Sequence, residues 1–314
     1  MGMGEHTSQL RSPARMTRRL LSKLYHLIES APANNVSVNW FLQPGHFYSP
    51  LPDLAEIRRR ETELFDRSFQ ELPEIDVRAD SQLKLLETFA AFYESMPFAA
   101  ERVAGMRSYL DNPRYAFLDA IVLHCMLRHL SPKRVIEVGS GYSTCVTLDT
   151  NDHFLGGGTA VSLIEPYAEV ILSLLPADDP ARASIIPKGL QEIDLGLFKT
   201  LEANDVLFID STHVAKIGSD VNHLFFKILP LLAAGVFIHI HDIFYPFEYP
   251  KEWIYEGRAW NEAYMLRAFL THNSAYEIVF WNDFLGTFHR DALERSLPMG
   301  LRNTGGAIWL RKNG

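Results

Sequence analysis

A short glycine-containing segment, EVGSGYST, follows an apolar run and precedes a helical pattern. It extends from Glu137 to Thr144, and its glycines allow a tight turn and a close approach of the backbone to a ligand. The free N–H groups at the start of the following helix would face that ligand. Ordinary strand-to-helix turns carry the same spacing, so this segment alone leaves a purely structural turn open.

A second acidic residue strengthens the ligand-binding interpretation. Glu165 ends the next apolar run, 25 residues after Ser140. A carboxylate at that place can accept hydrogen bonds from both hydroxyls of a ribose. A dinucleotide site would need a third glycine where Thr144 stands, whereas an acid two places before the first glycine suits a cationic amino-acid group. The pattern therefore favours S-adenosylmethionine over NAD.

Ionisable side chains also follow two later apolar runs. Asp210 ends the run DVLFID and is followed closely by His213, while His241 and Asp242 end the run GVFIHIHD. The carboxyl ends of strands in an open α/β sheet form the edge where ligands bind. We therefore expect these four side chains to lie together beside the cofactor.

Two chemistries stay open for this group. Asp210 and Asp242 could hold Mg²⁺, which prefers oxygen ligands, and with the two histidines they could instead bind a transition metal. Without a metal, a histidine near its ordinary pKa can take a proton from an acceptor hydroxyl or amine. We expect His213, His241 and Asp210 to act on the acceptor.

Aromatic and polar residues near these strand ends are candidates for substrate contacts. Tyr245 begins the segment YPFEYP directly after the last of these runs, and Glu262 lies at the start of a later helix. In the N-terminal half, the segment HFYSP contains His46 and Tyr48. Packed loops would explain the same residues without a ligand, but their position favours a pocket rim.

The elements that must position these residues alternate along the chain from Tyr115 onward. The helical pattern YAFLDAIVLHCMLRHL precedes a series of apolar runs at 134–140, 159–166, 183–189, 205–211, 235–242, 275–283 and 306–312. Helix-length segments separate the first five runs, which predicts parallel strands joined by right-handed crossovers. We expect a doubly wound, seven-stranded α/β sheet, preceded by an N-terminal tail and helical cap over residues 1–110.

The motifs EVGSGYST, IEP, FIDSTH and HIHDIFYPFEYP resemble the class I S-adenosylmethionine-dependent methyltransferase superfamily, and within it the bacterial, small-molecule, family 24-like branch. The resemblance covers residues 111–314. It implies a Rossmann-like catalytic domain with strand order 3-2-1-4-5-7-6 and an antiparallel last strand. The cofactor contacts that it implies are Glu137, Gly139, Gly141 and Glu165, and Gln191 is the nearest candidate for the adenine contact that the family places after the third strand. We also expect Ser140, Ser143 and Asp210 to contact the cofactor.

The same resemblance bears on the metal. Catechol and macrolide sugar methyltransferases of this superfamily use acids at the fourth and fifth strand ends to hold a metal that acidifies a substrate hydroxyl. Asp210 and Asp242 occupy those places here, but Ile243 stands where those enzymes carry Asn or Asp. The resemblance therefore leaves a divalent cation such as Mg²⁺ open.

Composition limits the cellular compartment and the classes of binding partner that we expect for the protein. The chain has 314 residues, of which 47% are hydrophobic, and a net charge of −8. This acidic balance argues against binding of nucleic acid. The first 24 residues are nevertheless basic, and a short amphipathic pattern covers residues 20–28. Apolar runs are too short to cross a membrane, and two cysteines suit a reducing cytoplasm. A homo-oligomer is compatible with the sequence.

These observations predict an enzyme that transfers a methyl group from S-adenosylmethionine to an oxygen or nitrogen of a small-molecule acceptor. Two alternatives remain. The same sulfonium can lose its aminocarboxypropyl group or cyclise, which releases methylthioadenosine. A non-catalytic module could also keep the fold and bind the cofactor without turnover. A nicotinamide dehydrogenase fits less well, because the third glycine is missing.

Overall fold

A computed structural model of the chain describes residues 41–314. The described residues belong to two units, 41–53 and Leu54–Gly314. The shorter unit consists of turns and bends over its described length. The basic first 24 residues and the amphipathic pattern over 20–28 lie outside the described residues.

The longer unit contains a seven-stranded sheet in the order 3-2-1-4-5-7-6. The first five strands run parallel, and β7 runs antiparallel to both of its neighbours. This confirms the predicted doubly wound, Rossmann-like fold with an antiparallel last strand. The strands are β1 Arg134–Val138, β2 Ala160–Ile164, β3 Ile185–Ile186, β4 Val206–Ile209, β5 Phe237–Ile240, β6 Tyr276–Trp281 and β7 Ile308–Lys312.

The register of the sheet aligns the ends of its central strands. Val138 of β1 lies opposite Ile164 of β2 and Ile209 of β4. Ile209 in turn lies opposite Ile240 of β5. The residues that follow these four positions therefore leave the sheet side by side at its carboxyl edge, where ligands bind in open α/β sheets.

Helices connect and flank the strands. They are α1 Leu54–Arg59, α2 Glu61–Leu64, α3 Ala79–Glu94, α4 Leu118–Leu130, α5 Tyr142–Phe154, α6 Glu169–Leu174, α7 Leu195–Phe198, α8 Asp220–His223, α9 Lys251–Glu256, α10 Glu262–Leu270, α11 Asn282–Phe288 and α12 Arg290–Ser296. A π-helical turn, Leu224–Ile228, extends α8. Among residues 41–314, no helix has both the length and the apolar character that a bilayer crossing requires.

The region from 53 to 110 contains less helix than its periodicity predicts. Helices α1 and α2 are short, and only α3 is long. No helix forms between α3 and α4, where Pro97, Gly105 and Pro113 interrupt the chain. Helix α4 begins at Leu118 instead of Tyr115, because the backbone of Phe117 has a φ of +41° and cannot continue a helix.

Two helices connect the N-terminal part of the longer unit to the sheet. In helix α4, 11 of the 13 residues are buried, and Asp119 and His124 are among them. It packs between α3 and α5, which explains why most of its residues are apolar. Helix α3 also contacts β6 and α12. These contacts lie within the longer unit, Leu54–Gly314, and the predicted division into a cap over 1–110 and a catalytic domain over 111–314 stays a prediction.

Candidate active site

The turn after β1 is shaped by close contact with the end of β4. Gly139 has a φ of +83°, and a Cβ at this position would lie 1.8 Å from the carbonyl oxygen of Asp210. Only glycine fits there. Gly141 is extended, with a φ of −174°, and an added Cβ would meet only Val170 at 3.9 Å. The protein itself therefore requires glycine at 139 and leaves space at 141.

Glu137 lies beneath this turn and is fully buried. Its Oε1 accepts hydrogen bonds from the hydroxyls of Ser143 at 2.6 Å and Thr144 at 3.0 Å. Its Oε2 has no hydrogen-bond partner among the described residues. Burial raises the pKa of this carboxyl to about 8, against the opposing effect of the two hydroxyls. Glu137 is therefore mainly protonated at neutral pH unless a cation approaches it.

Glu165 connects the end of β2 to the same turn. Its Oε2 accepts a hydrogen bond from the Ser140 amide at 3.0 Å, and its Oε1 accepts one from the Tyr167 amide at 2.7 Å. The remaining lone pairs of this half-buried carboxylate are available to ligand hydroxyls. Gln191 follows β3 in a 3₁₀ turn, where its amide donates to the carbonyl of Gly218 at 2.8 Å.

His213 lies between three carboxylates. Its Nε2 is 3.3 Å from an oxygen of Asp210 and 3.6 Å from one of Asp242. Its Nδ1 is 2.9 Å from Oε2 of Glu262, and the Trp260 ring lies 4.5 Å from the imidazole. Burial would lower the pKa of His213, but the hydrogen bonds to Asp210 and Glu262 outweigh burial and raise it to about 10. Without a further cation, His213 keeps its proton at neutral pH.

His241 enters the same cluster from β5. Its Nδ1 lies 3.5 Å from Asp210 and 3.7 Å from Asp242, and its Nε2 lies 3.3 Å from Asp119. Burial would lower the pKa of His241, but the surrounding carboxylates raise it well above its usual value. One strand position before the end of β5, His239 is fully buried and contacts the hydroxyl of Tyr115.

Asp119 is a part of the site that the sequence reasoning missed. It lies in the first turn of α4, and it is also held by the amide of Asn282 at 2.8 Å and by the backbone N–H of Ala307 at 3.2 Å. The available signal was one aspartate in the first turn of a helix that is mostly apolar. That helix precedes the sheet in the chain, so the pattern alone gave no reason to place Asp119 beside His241.

The two aspartates differ in exposure and in charge state. The side chain of Asp210 is 34% exposed and that of Asp242 is 14% exposed, so the cluster opens to solvent on the Asp210 side. Although burial opposes it, the adjacent histidines hold the pKa of Asp210 well below its usual value. Burial raises the pKa of Asp242.

The four predicted substrate residues have different surroundings. Tyr245 is fully buried, and its hydroxyl donates to the carbonyl of Phe69. Glu262 is also fully buried and binds His213. In the shorter unit, the amide of Tyr48 donates to Nδ1 of His46 at 3.2 Å. Contact of any of these four residues with substrate stays a prediction.

Comparison with known proteins agrees with this architecture. Residues 136–243, which run from the middle of β1 to just past β5 and include Asp210, His213, His241 and Asp242, match a methyltransferase domain family. The chain is also 34% identical over 171 residues to an uncharacterised protein of Archaeoglobus fulgidus, a match that covers 51% of this chain and 74% of that protein.

Solved structures with a similar fold were also found. An S-adenosylhomocysteine-bound methyltransferase of Podospora anserina is 16% identical, with a TM-score of 0.39, over 85% of this chain and 99% of that one. The O-methyltransferase TomG of Streptomyces achromogenes, in complex with S-adenosylmethionine, is 14% identical, with a TM-score of 0.41, over 83% of this chain and 96% of that one. At these values the likeness carries no conclusion about activity.

The sheet order is that of a Rossmann-like α/β protein, and the glycine turn after β1 packs against the end of β4. Residues 136–243 of this fold match the methyltransferase domain family. The chain belongs to the class I S-adenosylmethionine-dependent methyltransferase superfamily.

Proposed function

We propose that the protein transfers the methyl group of S-adenosylmethionine to an oxygen or nitrogen of a small-molecule acceptor. One observation carries this proposal: Asp210 contacts the turn around Gly139 and Gly141, here called the glycine turn. It also belongs to the group of Asp210, His213, His241 and Asp242, here called the ionisable cluster. Its backbone carbonyl lies against Gly139, and its carboxylate lies 3.3 Å from His213. A cofactor on the turn would therefore have its sulfonium group close to the side chains that would meet an acceptor.

The turn offers suitable partners for each part of the cofactor. The unpaired Oε2 of Glu137 can accept a hydrogen bond from the methionine ammonium group, and Glu165 can accept from the ribose hydroxyls. The space at Gly141 would admit a ligand close to the backbone. Ser140, Ser143 and Gln191 are further proposed contacts.

The reaction that we propose forms one bond and breaks another. A lone pair on the acceptor oxygen or nitrogen attacks the methyl carbon, and the carbon–sulfur bond breaks to release S-adenosylhomocysteine. The acceptor proton passes to the ionised carboxylate of Asp210 and from its exposed side to solvent, while His213 and His241, which carry their own protons, hold that carboxylate in place. Methyl transfer needs an in-line approach, so holding the two reactants in place would supply much of the rate.

Product analysis tests this proposal. The protein would be incubated with S-adenosylmethionine and a panel of hydroxyl- and amine-bearing metabolites, and the nucleoside product identified by mass spectrometry. S-adenosylhomocysteine supports methyl transfer. Methylthioadenosine would instead assign aminocarboxypropyl transfer or cyclisation, and cofactor binding without any product would assign a non-catalytic module.

Variants of the cofactor residues make the test specific. Glu165→Gln should weaken S-adenosylhomocysteine binding by roughly 1–3 kcal/mol, because a ribose hydroxyl loses a charged acceptor. Glu169→Gln is a matched control, because Glu169 is exposed on the neighbouring helix α6. Equal affinities of both variants in calorimetry would exclude Glu165 as a ribose contact.

A further inference from the structure

Arg258 lies close to the ionisable cluster, and the proposed reaction does not use it. We propose that Arg258 binds a carboxylate group of the acceptor, while the reacting hydroxyl or amine of the same molecule lies at Asp210. This deepens the proposed function by naming the chemical class of its acceptor, and its catalytic meaning rests on that function. Acid binding at Arg258 can nevertheless be measured without any methyl transfer.

A left-handed turn and two tryptophan rings position Arg258. Helix α9 ends at Glu256, and Gly257 follows it with a φ of +92°, which suits glycine. After this turn, the backbone N–H of Arg258 donates to the carbonyl of Trp253 at 3.0 Å. The guanidinium carbon lies 4.1 Å from the centre of the Trp253 ring and 5.2 Å from that of the Trp260 ring. The two rings therefore hold the guanidinium by cation–π contact.

Trp260 connects this arginine to the ionisable cluster. Its ring centre lies 4.5 Å from that of the His213 imidazole, whose Nε2 lies 3.3 Å from Asp210. The Trp260 ring thus lies against both the guanidinium and the histidine that holds the exposed carboxylate. Arg258 and Asp210 are separated by one indole and one imidazole, a span that a small metabolite can cover.

The loop that carries His213 is fixed by the same short segment of chain. The backbone N–H groups of Asn261 and Glu262 both donate to the carbonyl of His213 at 3.1 Å, and the Asn261 side chain accepts from the N–H of Ala215 at 2.6 Å. Glu262 also holds the Nδ1 of His213 at 2.9 Å. Residues 258–262 therefore fix the histidine and carry the arginine, so the distance between the two groups is set by one rigid segment.

Most of the hydrogen-bond donors of this guanidinium are available to a ligand. The Nη2 of Arg258 donates to Glu256 at 3.0 Å, and within residues 41–314 the guanidinium has no other hydrogen bond. The side chains of the two partners are 37% and 58% exposed, so this ion pair is weak and open to exchange. A guanidinium held by ring faces directs its N–H groups outward in its own plane, where they match the two oxygens of a carboxylate.

The charges at the two ends fix the orientation of the acceptor. The Asp210 side chain is 34% exposed, and its carboxylate accepts a hydrogen bond from a hydroxyl or an amine but repels a second carboxylate. Arg258 attracts the acid and has only donors to offer. Trp260 is half-buried, which leaves part of an apolar ring open between them. A carboxylate that also bears a hydroxyl or an amine can therefore bind in one direction only.

Matched acids and amides are the probes for this subsite. The full-length protein, with and without S-adenosylhomocysteine, would be titrated by calorimetry with para-hydroxybenzoate and para-hydroxyphenylacetate, and with the amide of each. We expect each acid to bind about 10- to 100-fold more tightly than its amide, because only the acid gains charge-assisted hydrogen bonds. Equal affinities within both pairs, or no binding of either acid, would overturn the proposal.

Variants at Arg258 test whether this side chain recognises the acid. Arg258→Gln should abolish the preference for the acid and leave the affinity for the amide unchanged. Arg311→Gln is the matched control and should bind as the parent does, because Arg311 also lies over a ring, that of Phe237 at 5.9 Å, and also pairs with a glutamate, Glu277, at 3.7 Å. Phe237 begins β5, so this arginine lies at the opposite edge of the sheet. A preference for the acid that persists in Arg258→Gln would refute the assignment.

Two further measurements keep the proposal testable if Arg258→Gln does not fold. Arg258→Lys keeps the charge without the planar fork, so it should retain only part of the preference for the acid, and full retention would count against the proposal. In the parent protein, an acceptor identified by product analysis should carry a carboxylate. Its amide should have a KM about 10- to 100-fold higher with a similar kcat, because the carboxylate is remote from the reacting atoms.

Failure of the two proposals can be distinguished. A preference for the acid that depends on Arg258, with no nucleoside product from S-adenosylmethionine, would leave the subsite and refute methyl transfer. Methyl transfer to an acceptor without a carboxylate, with a KM that Arg258→Gln does not change, would leave the methyltransferase proposal and refute the subsite.

Discussion

Binding of the cofactor should change the protonation of Glu137, and the number of protons can be calculated. Burial raises the pKa of this carboxyl to about 8, so about 0.9 of the molecules carry its proton at pH 7. Its Oε2 has no partner among the described residues. If the ammonium group of S-adenosylmethionine pairs with that oxygen, the ionised form is favoured and the pKa falls. We therefore expect about 0.9 proton to be released per cofactor bound at pH 7.

The affinity should follow the same titration. A carboxyl whose pKa is raised in the free protein must lose its proton before it can pair with the ammonium group. The contribution of Glu137 to affinity, taken as the difference between the parent and Glu137→Gln, should therefore rise about tenfold from pH 6 to pH 7 and level off above pH 8, where Glu137 is already ionised. The proton release that is due to Glu137 should fall to about 0.1 at pH 9 for the same reason.

Calorimetry in buffers of different ionisation enthalpy measures the proton number directly. Glu137→Gln should lower the release to near zero, while Glu169→Gln should leave it unchanged. The ammonium group of the cofactor also titrates near neutral pH, so the difference between the parent and Glu137→Gln is the informative quantity. A parent protein that releases no more protons than Glu137→Gln would refute the pairing of Glu137 with the cofactor.

Three other perturbations test the fold around the site. Gly139→Ala should lower the free energy of unfolding by roughly 2–4 kcal/mol, because its Cβ would lie 1.8 Å from a carbonyl oxygen. Gly141→Ala should leave stability unchanged and weaken the binding of S-adenosylhomocysteine. Urea titration measures the stabilities and calorimetry the binding, and equal stabilities of the two variants would be inconsistent with the contact. Arg107→Ala should cost roughly 3 kcal/mol in the same titration, because it leaves the fully buried Asp149 without its cation; a loss below about 0.5 kcal/mol would contradict this. Both cysteines are buried and burial raises the pKa of the Cys145 thiol to about 12, so alkylation should require unfolding, and rapid alkylation of the native protein would disagree with the structure.

Much of the sheet could be predicted because its signals are local. Each strand is a short apolar run, and turn residues bound it, so the number of strands and their parallel pairing follow from spacing and from the crossover rule. The order of the strands in the sheet was implied by the resemblance to a known superfamily. The lower helical content between α3 and α4 was harder to predict, since Pro97, Gly105 and Pro113 act on the backbone within an apolar pattern that still has helical spacing.

The residues of the candidate site were also predictable only in part. Asp210, His213, His241 and Asp242 follow strands, and the alignment of strand ends brings them together as expected. Asp119 and Glu262 lie on helices whose packing brings them behind the two histidines. Sequence spacing holds no information about that packing, because the contacts span 49 and 122 residues.

The amino-acid sequence by itself determined the seven strands, the glycine turn and the strand ends that carry acids and histidines, since these depend on neighbouring residues; the order of the strands in the sheet was implied by the resemblance to a known superfamily. Only the tertiary structure decided which ring nitrogen each histidine presents to Asp210 and Asp242. The burial of Glu137 was decided there too, and with it a pKa of about 8. Tautomer and ionisation depend on the distances and solvent exposure of groups far apart in the chain, which exist only once the chain has folded.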